Sequence, residues 1–523
     1  FTDLAIDCAG SNYTLQVTSS GAKPLVAAVS APFNVNTGLP EKLLFAVSPS
    51  NTRANQTLYN YPVVQVVDAG NNRVPTYSGT ISIAITPASV KPGAVLSGTS
   101  AVYTTSGESR YFNLAINRAG AGYTLTASTA DGLSGVSAAF NITATQLRFG
   151  TIANTPAGAA LGVVVEATDD DGVLDTTFTG TVALRVVAPA VGVDLKPAAN
   201  PSVAAVAGVA TFGSSMGINI DRVGQGYQLG ATSGTLNGKS ALFNITASQL
   251  RFSSEPGDTR AGATFGAEVV ATDSYGTIDT TFTGQVTLGL TGGAGGVSLK
   301  PAASPMVTAV NGRANFGTAL VIDRVGQAYK LSATSGSMNA FSSAFNITAN
   351  QLRFSTSPGN TQAGTQFNVE VEATDNFGNV DTTFTSPVTL WLSGGALLAT
   401  LEPSGALTAT AADGQASFSG LHIDRIGQGY TLLASGGGLN GKSALFNITA
   451  SQFRFSPAPG NTRADATFAV TVLATDGYGS IDTTFTSSVT LGLVGGTDGA
   501  ILSSPGSLTI AAVNGQAPFS GLS

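Results

Sequence analysis

The chain has 523 residues, of which 43% are apolar and only 10% charged, and its net charge is −7. No basic stripe is present to neutralise phosphates, which argues against a nucleic-acid partner. One His (His422) and one Cys (Cys8) leave no material for a His triad, a His metal cluster or an internal disulfide. No apolar run is long enough for a membrane-spanning helix. From the N-terminus, Tyr13 and then Phe33-Asn-Val-Asn36 come first, as the loosest copy of a motif that returns four times. Its repeated Phe stands at Phe33, Phe140, Phe243, Phe345 and Phe446, a period of about 102 residues. Such a period reads as an array of equal modules, each long enough to bury its own core.

The repeat predicts a partial module over residues 1–36, holding the last two strands. Whole modules follow over 37–143, 144–246, 247–348 and 349–449, and a partial one over 450–523 lacks the last strands. In the copy ending at residue 449, Phe367-Asn-Val-Glu-Val-Glu-Ala-Thr374 alternates, with Phe367, Val369, Val371 and Ala373 on the inner face. Asp375-Asn-Phe-Gly-Asn379 is a turn and Val388-Thr-Leu-Trp-Leu392 a second alternating strand. Residues 406–411 and 415–423 flank the two-residue hairpin signal Asp413-Gly414. A Gly-rich turn is expected to end in Asn440-Gly441, and the strand Phe446-Asn-Ile-Thr449 closes the copy. Seven or eight short strands per copy, broken by Gly, Pro, Asn and Asp, predict an all-β, two-sheet antiparallel sandwich of immunoglobulin type. Each copy carries a Tyr at the place of a tyrosine corner: Tyr13, Tyr123, Tyr227, Tyr329 and Tyr430.

Four stretches carry a resemblance: Phe-Asn-Ile-Thr-Ala-x-Gln-Leu-Arg-Phe, Ala-Thr-Asp-x-x-Gly-x-x-Asp-Thr-Thr-Phe-Thr, Ala-Val-Asn-Gly-x-Ala-x-Phe and Ile-Asp-Arg-x-Gly-Gln-x-Tyr. They are similar to the tandem bacterial immunoglobulin-like (Big-type) repeats of large secreted surface adhesins and filament proteins. The resemblance covers the whole chain and implies an extracellular or cell-surface location and a non-catalytic role. The first copy departs from the pattern: it has an insertion at residues 38–41 and no second Asp. Where copies meet, Phe243 stands only nine positions before Phe252, and the junction is Thr, Ala, Ser and Gln rather than Gly or Pro, which predicts a stiff rod without flexible linkers.

Several residue sets are candidates for chemistry. The Asp pairs Asp169/Asp175, Asp273/Asp279, Asp375/Asp381 and Asp476/Asp482 each bracket a Gly turn. They are either Ca²⁺ ligands, two carboxylates being few for an ion that takes about 6–8 oxygens, or turn formers that hydrogen-bond their own backbone. No cofactor is otherwise required. Asn12, Asn55, Asn141, Asn244, Asn346 and Asn447 fit the N-glycosylation sequon, and the Asn of Phe-Asn-Ile is expected to point outward. Trp391 replaces Gly289 and Gly492 on an outward strand face and is a candidate for stacking on a sugar. The expected function is a structural segment of a filament or adhesin stalk, whose partners are copies of itself or the rest of a longer repeat chain. Head-to-tail joining by strand complementation of the two partial modules is one form of it. A carbohydrate- or protein-binding adhesin module, with surface glycans as partners, is the alternative.

Overall fold

The computed structural model describes residues 1–188, 192–404 and 407–523. Among them there is no α-helix; one short 3₁₀ turn, Ser214–Met216, interrupts the strands. The chain divides into two compact units, residues 1–248 with 272–279, and residues 249–271 with 280–523.

In the first unit, the sheet Ala101–Thr104, Gly79–Ile85, Leu125–Thr129, Ser134–Val136 stands with the sheet Glu108–Arg110, Val63–Val67, Lys42–Val47. Alternation along these strands sends Val64, Val66, Ile81, Ile83, Leu125 and Ala127 into one apolar cluster with Phe140 and Ile142. The next copy repeats the plan: Gln146–Phe149, Val163–Thr168 and Val209–Phe212 form one sheet, and Phe243–Thr246, Gly224–Ser233 and Thr181–Ala188 are successive neighbours in the other. Its core runs from Ala144 to Ile245.

The second unit holds the clearest copy. Gln351–Thr356, Phe367–Thr374, Gln415–Ile423 and Leu401–Glu402 make one sheet. Thr361–Gln362, Phe446–Thr449, Gly427–Gly436, Pro387–Ser393 and Thr408–Thr410 make the other, with Leu439–Lys442 also on Gly427–Gly436. Thr361–Gln362 pairs in parallel with Phe446–Thr449, and the other pairings are antiparallel. Asp413 and Gly414 turn the hairpin at φ 48° and 82°, the primed geometry that matches strand twist. A Cβ at Gly414 would lie 2.4 Å from the Asp381 carbonyl oxygen, so the turn also needs the missing side chain. Residue 406, at the expected start of this hairpin, lies outside the described residues.

Two expectations about this copy are corrected. The turn before the last strands sits on Gly437 and Gly438, at φ 57° and 74°, while Asn440 and Gly441 lie within the strand Leu439–Lys442. The run of glycines supplies the positive φ three residues earlier than the Asn-Gly pair. Thr374 alternates onto the opposite, outer face from Ala373, where a solvated side chain is expected, yet it is fully buried at the place where two copies meet and its carbonyl accepts the Asn350 N–H.

Candidate functional site

The repeated polar residues gather at the junctions between copies. Asp375 opens the turn after the strand Phe367–Thr374, and its Oδ1 accepts the N–H groups of Phe377 and Asn379 at 2.8 and 3.0 Å. Its Oδ2 accepts the Asn379 side-chain amide at 2.7 Å and the N–H of Val325, in the preceding copy, at 2.9 Å. The same reach into the preceding copy recurs from Ala119 to Asp169 (2.9 Å), from Val223 to Asp273 (3.0 Å) and from Ile426 to Asp476 (3.2 Å). All four carboxylates are fully buried. Burial alone pushes the Asp375 carboxyl up, but the hydrogen bonds from Asn379, Val325 and Phe377 outweigh it and hold the group below its ordinary value. Asp273 and Asp476 behave in the same way, burial being outweighed by N–H donors.

The second Asp of each pair ties down the crossing strand. Asp381 Oδ2 accepts the N–H of Ala349, between the last strand of one copy and the first of the next, at 2.8 Å. Its Oδ1 takes the Thr383 N–H and hydroxyl at 3.0 and 2.6 Å. Asp175 and Asp482 repeat this arrangement with Ala144/Thr177 and Ala450/Thr484, and Asp279 accepts the Ala247 N–H at 2.9 Å. The oxygens that calcium would require are thus receiving N–H and O–H donors. Among the described residues no three His, Cys, Asp or Glu come together as a metal site would need.

At four of the junctions an Arg crosses beside the first Asp. The guanidinium of Arg222 lies 3.9 Å from the ring centre of Tyr275, Arg324 4.4 Å from Phe377, and Arg425 4.2 Å from Tyr478. Arg118 faces Asp171 at 3.7 Å instead. The first junction is built differently: Cys8 stands for the Arg and Gly70 for the ring. Asn72 makes the crossing bonds there, accepting the Ala9 N–H at 2.9 Å and donating to the Asp7 carbonyl at 2.6 Å. Asp68 turns instead to the Gly38 N–H, at 2.8 Å, within the inserted segment. The Arg–ring contact was not anticipated from sequence, although the signal is there: both residues recur in fixed columns of the repeat. Two further arginines brace neighbouring copies. Arg260 donates to the carbonyls of Gly437 and Gly438 at 3.1 and 3.2 Å, and Arg53 donates to the Thr235 hydroxyl.

Each Tyr hydroxyl donates to the carbonyl of the residue five positions upstream, at 3.0–3.2 Å, for Tyr13, Tyr123, Tyr227, Tyr329 and Tyr430. Burial pushes the Tyr123 hydroxyl up to about 12, so it stays a donor at any physiological pH. The Asn of each Phe-Asn-Ile is half-buried rather than freely outward. The side-chain oxygens of Asn141, Asn244, Asn346 and Asn447 accept the N–H of Gly122, Gly226, Ala328 and Gly429 at 2.9–3.0 Å. Those four acceptor-facing residues have φ between 56° and 71°. Asn12 occupies the same bulge at φ 65° and donates its N–H to Asn34. Asn55 spends its side-chain amide on Asp170, at 2.8 Å. Trp391 stands on its strand opposite Leu433, 41% exposed.

No protein-family model matches the sequence, and no sequence match to a characterised protein was found. Among solved structures, that of invasin, described as a bacterial integrin-binding protein, aligns over 79% of this chain and 80% of its own, at 11% identity and a TM-score of 0.24. The N-terminal eight Ig domains of Down Syndrome Cell Adhesion Molecule isoform 1.30.30 align over 85% of this chain and 57% of their own, at 10% identity and a TM-score of 0.26. By its own sheets and cores, the chain is an all-β tandem array of immunoglobulin-like sandwiches.

Proposed function

We propose that the chain is a non-catalytic structural segment of an extracellular or cell-surface protein, a stalk or filament whose task is to span distance. One observation carries the proposal: at four successive junctions a buried Asp of one copy receives a backbone N–H of the copy before it, at 2.9–3.2 Å. A repeated clasp of that kind resists bending at every joint. Small-angle X-ray scattering of the 523-residue chain tests it. A stiff, elongated particle is expected, and a compact one would sink the proposal.

The Asp pairs belong to that reading as clasps rather than as calcium ligands. Excess chelator is therefore expected to leave Tm unchanged in scanning calorimetry; a ligand that bound only the folded state would raise it.

The finer form is a filament in which the strands of residues 1–36 complete the sandwich of residues 450–523 in a neighbouring copy. In the partial modules Phe33 is 37% exposed and Phe453 55%, where the equivalent Phe446 and Leu352 of a whole module are 2% and 3%. Sedimentation should then show concentration-dependent growth that a peptide of residues 1–36 abolishes. A monomer at every concentration removes the filament and leaves the spacer.

Trp391 favours a second reading, a carbohydrate-binding module. A glycan array would report it, with binding lost in Trp391→Gly, the residue found at Gly289 and Gly492.

A further inference from the structure

Four of the five junctions share the Asp clasp, and the junctions differ in what stands beside the turn. In chain order the crossing pairs are Cys8 with Gly70, Arg118 with Asp171, Arg222 with Tyr275, Arg324 with Phe377 and Arg425 with Tyr478. The Arg is constant at four junctions while its partner varies, and at the first junction both columns change. Where the ring is present, a guanidinium lies 3.9–4.4 Å from its centre. With Asp at the turn, the same guanidinium faces a carboxylate at 3.7 Å. In the one copy without the Arg, the turn position is Gly, and a Cβ there would lie 2.0 Å from the Asp7 carbonyl oxygen. The preceding copy's backbone fills the space a ring would need.

We infer that these are matched orienting pairs, in which the residue before the clasp and the third residue of the Asp turn together set the angle between neighbouring copies and its stiffness. The clasp opposes bending apart, but as one hydrogen bond it does not fix rotation about its own axis. A flat cation laid on a flat ring fixes a plane, because both partners lose attraction when tilted or slid apart. At one junction the ring plane is itself held. Tyr275 donates its hydroxyl to Asp221, next to the Arg222 that covers it, at 2.8 Å. At the Phe377 junction the ring has no hydroxyl, and the corresponding Asp323 is taken by Lys300 of its own copy. The Arg118–Asp171 pair has no ring plane and is half open to solvent on the Asp side, so it orients less firmly. Orientation along the array is therefore written junction by junction, in residues outside the cores.

This inference rests on the spacer reading and deepens it. The test is a spin-label distance measurement across one junction, in the full chain with Cys8→Ser. Labels go on Met306→Cys and Leu445→Cys, both exposed, in the copies that Arg324 and Phe377 join. Arg324→Cys is avoided because it would take label; Arg324→Ala and Phe377→Gly are used. Each is expected to broaden the distance distribution, the double variant no further than either single one, and Phe377→Tyr not at all. Calorimetry separates loosening from unfolding, since the cores of both copies should melt as before. Unchanged distributions in both single variants, or broadening that adds in the double variant, overturn the matched-pair inference. The spacer reading falls only if the parent chain scatters as a compact particle.

Discussion

Asp375→Ala is expected to lower the melting transition of its copy by roughly 10–20 °C, the shift that a loss on the order of 3 kcal/mol produces in a domain of this size. The reason is the number of donors orphaned at once. The N–H groups of Phe377, Asn379 and Val325 and the Asn379 amide all lose their acceptor. The site is fully buried, so water cannot replace the carboxylate without opening the junction. Asp375→Asn keeps the volume but turns an amide N–H toward N–H donors, and should recover only part of the loss. Acid should mimic the substitution. The folded carboxyl lies below its ordinary value of 3.8, so its contribution is whole above pH 3.8 and drains away as pH falls through the folded value. Calorimetry at stepped pH reads this directly: a junction transition that stays flat from pH 7 to about 4 and drops below it.

Phe446→Ala carries the other large effect, a loss of about 3–5 kcal/mol. Phe446 is 2% exposed and sits at the seam of both sheets, its ring 5.9 Å from Tyr430 and 6.1 Å from Phe367, centre to centre. Truncation leaves a cavity against two aromatic neighbours that cannot collapse, because Tyr430 is tethered through its hydroxyl to the Arg425 carbonyl. Denaturant unfolding should show one copy leaving early while the rest keep their midpoint. A uniform shift of the whole curve would mean instead that the copies unfold as one body.

The sandwich was legible because its information is local. Alternation in 367–373 and the turn signal at Asp413-Gly414 each concern a few adjacent residues, and both describe the folded strands. The role of the Asp pairs was half legible. That Asp375 would close its own turn follows from its spacing to Gly378, but its second oxygen points to Val325, fifty residues upstream. No short-range pattern carries that. The sequon Asn residues were half legible for a related reason. Alternation puts Asn244 on the outer face, yet a bulge at Gly226 brings a backbone N–H over to its side-chain oxygen. Period-two reasoning assumes a regular ladder and is blind at the residue where the ladder slips.

Each clasp is split between copies: the carboxylate comes from one, the N–H from the one before. Residues 238–249 and 441–452 are identical and lie at the same point of the cycle. Unequal exchange between the two stretches would excise or insert a pair of copies cleanly. The new joint would again set Val223 and Arg222 against an Asp turn, now Asp476 with Tyr478. An array put together this way can gain or lose a pair of copies at these stretches and still close the new joint.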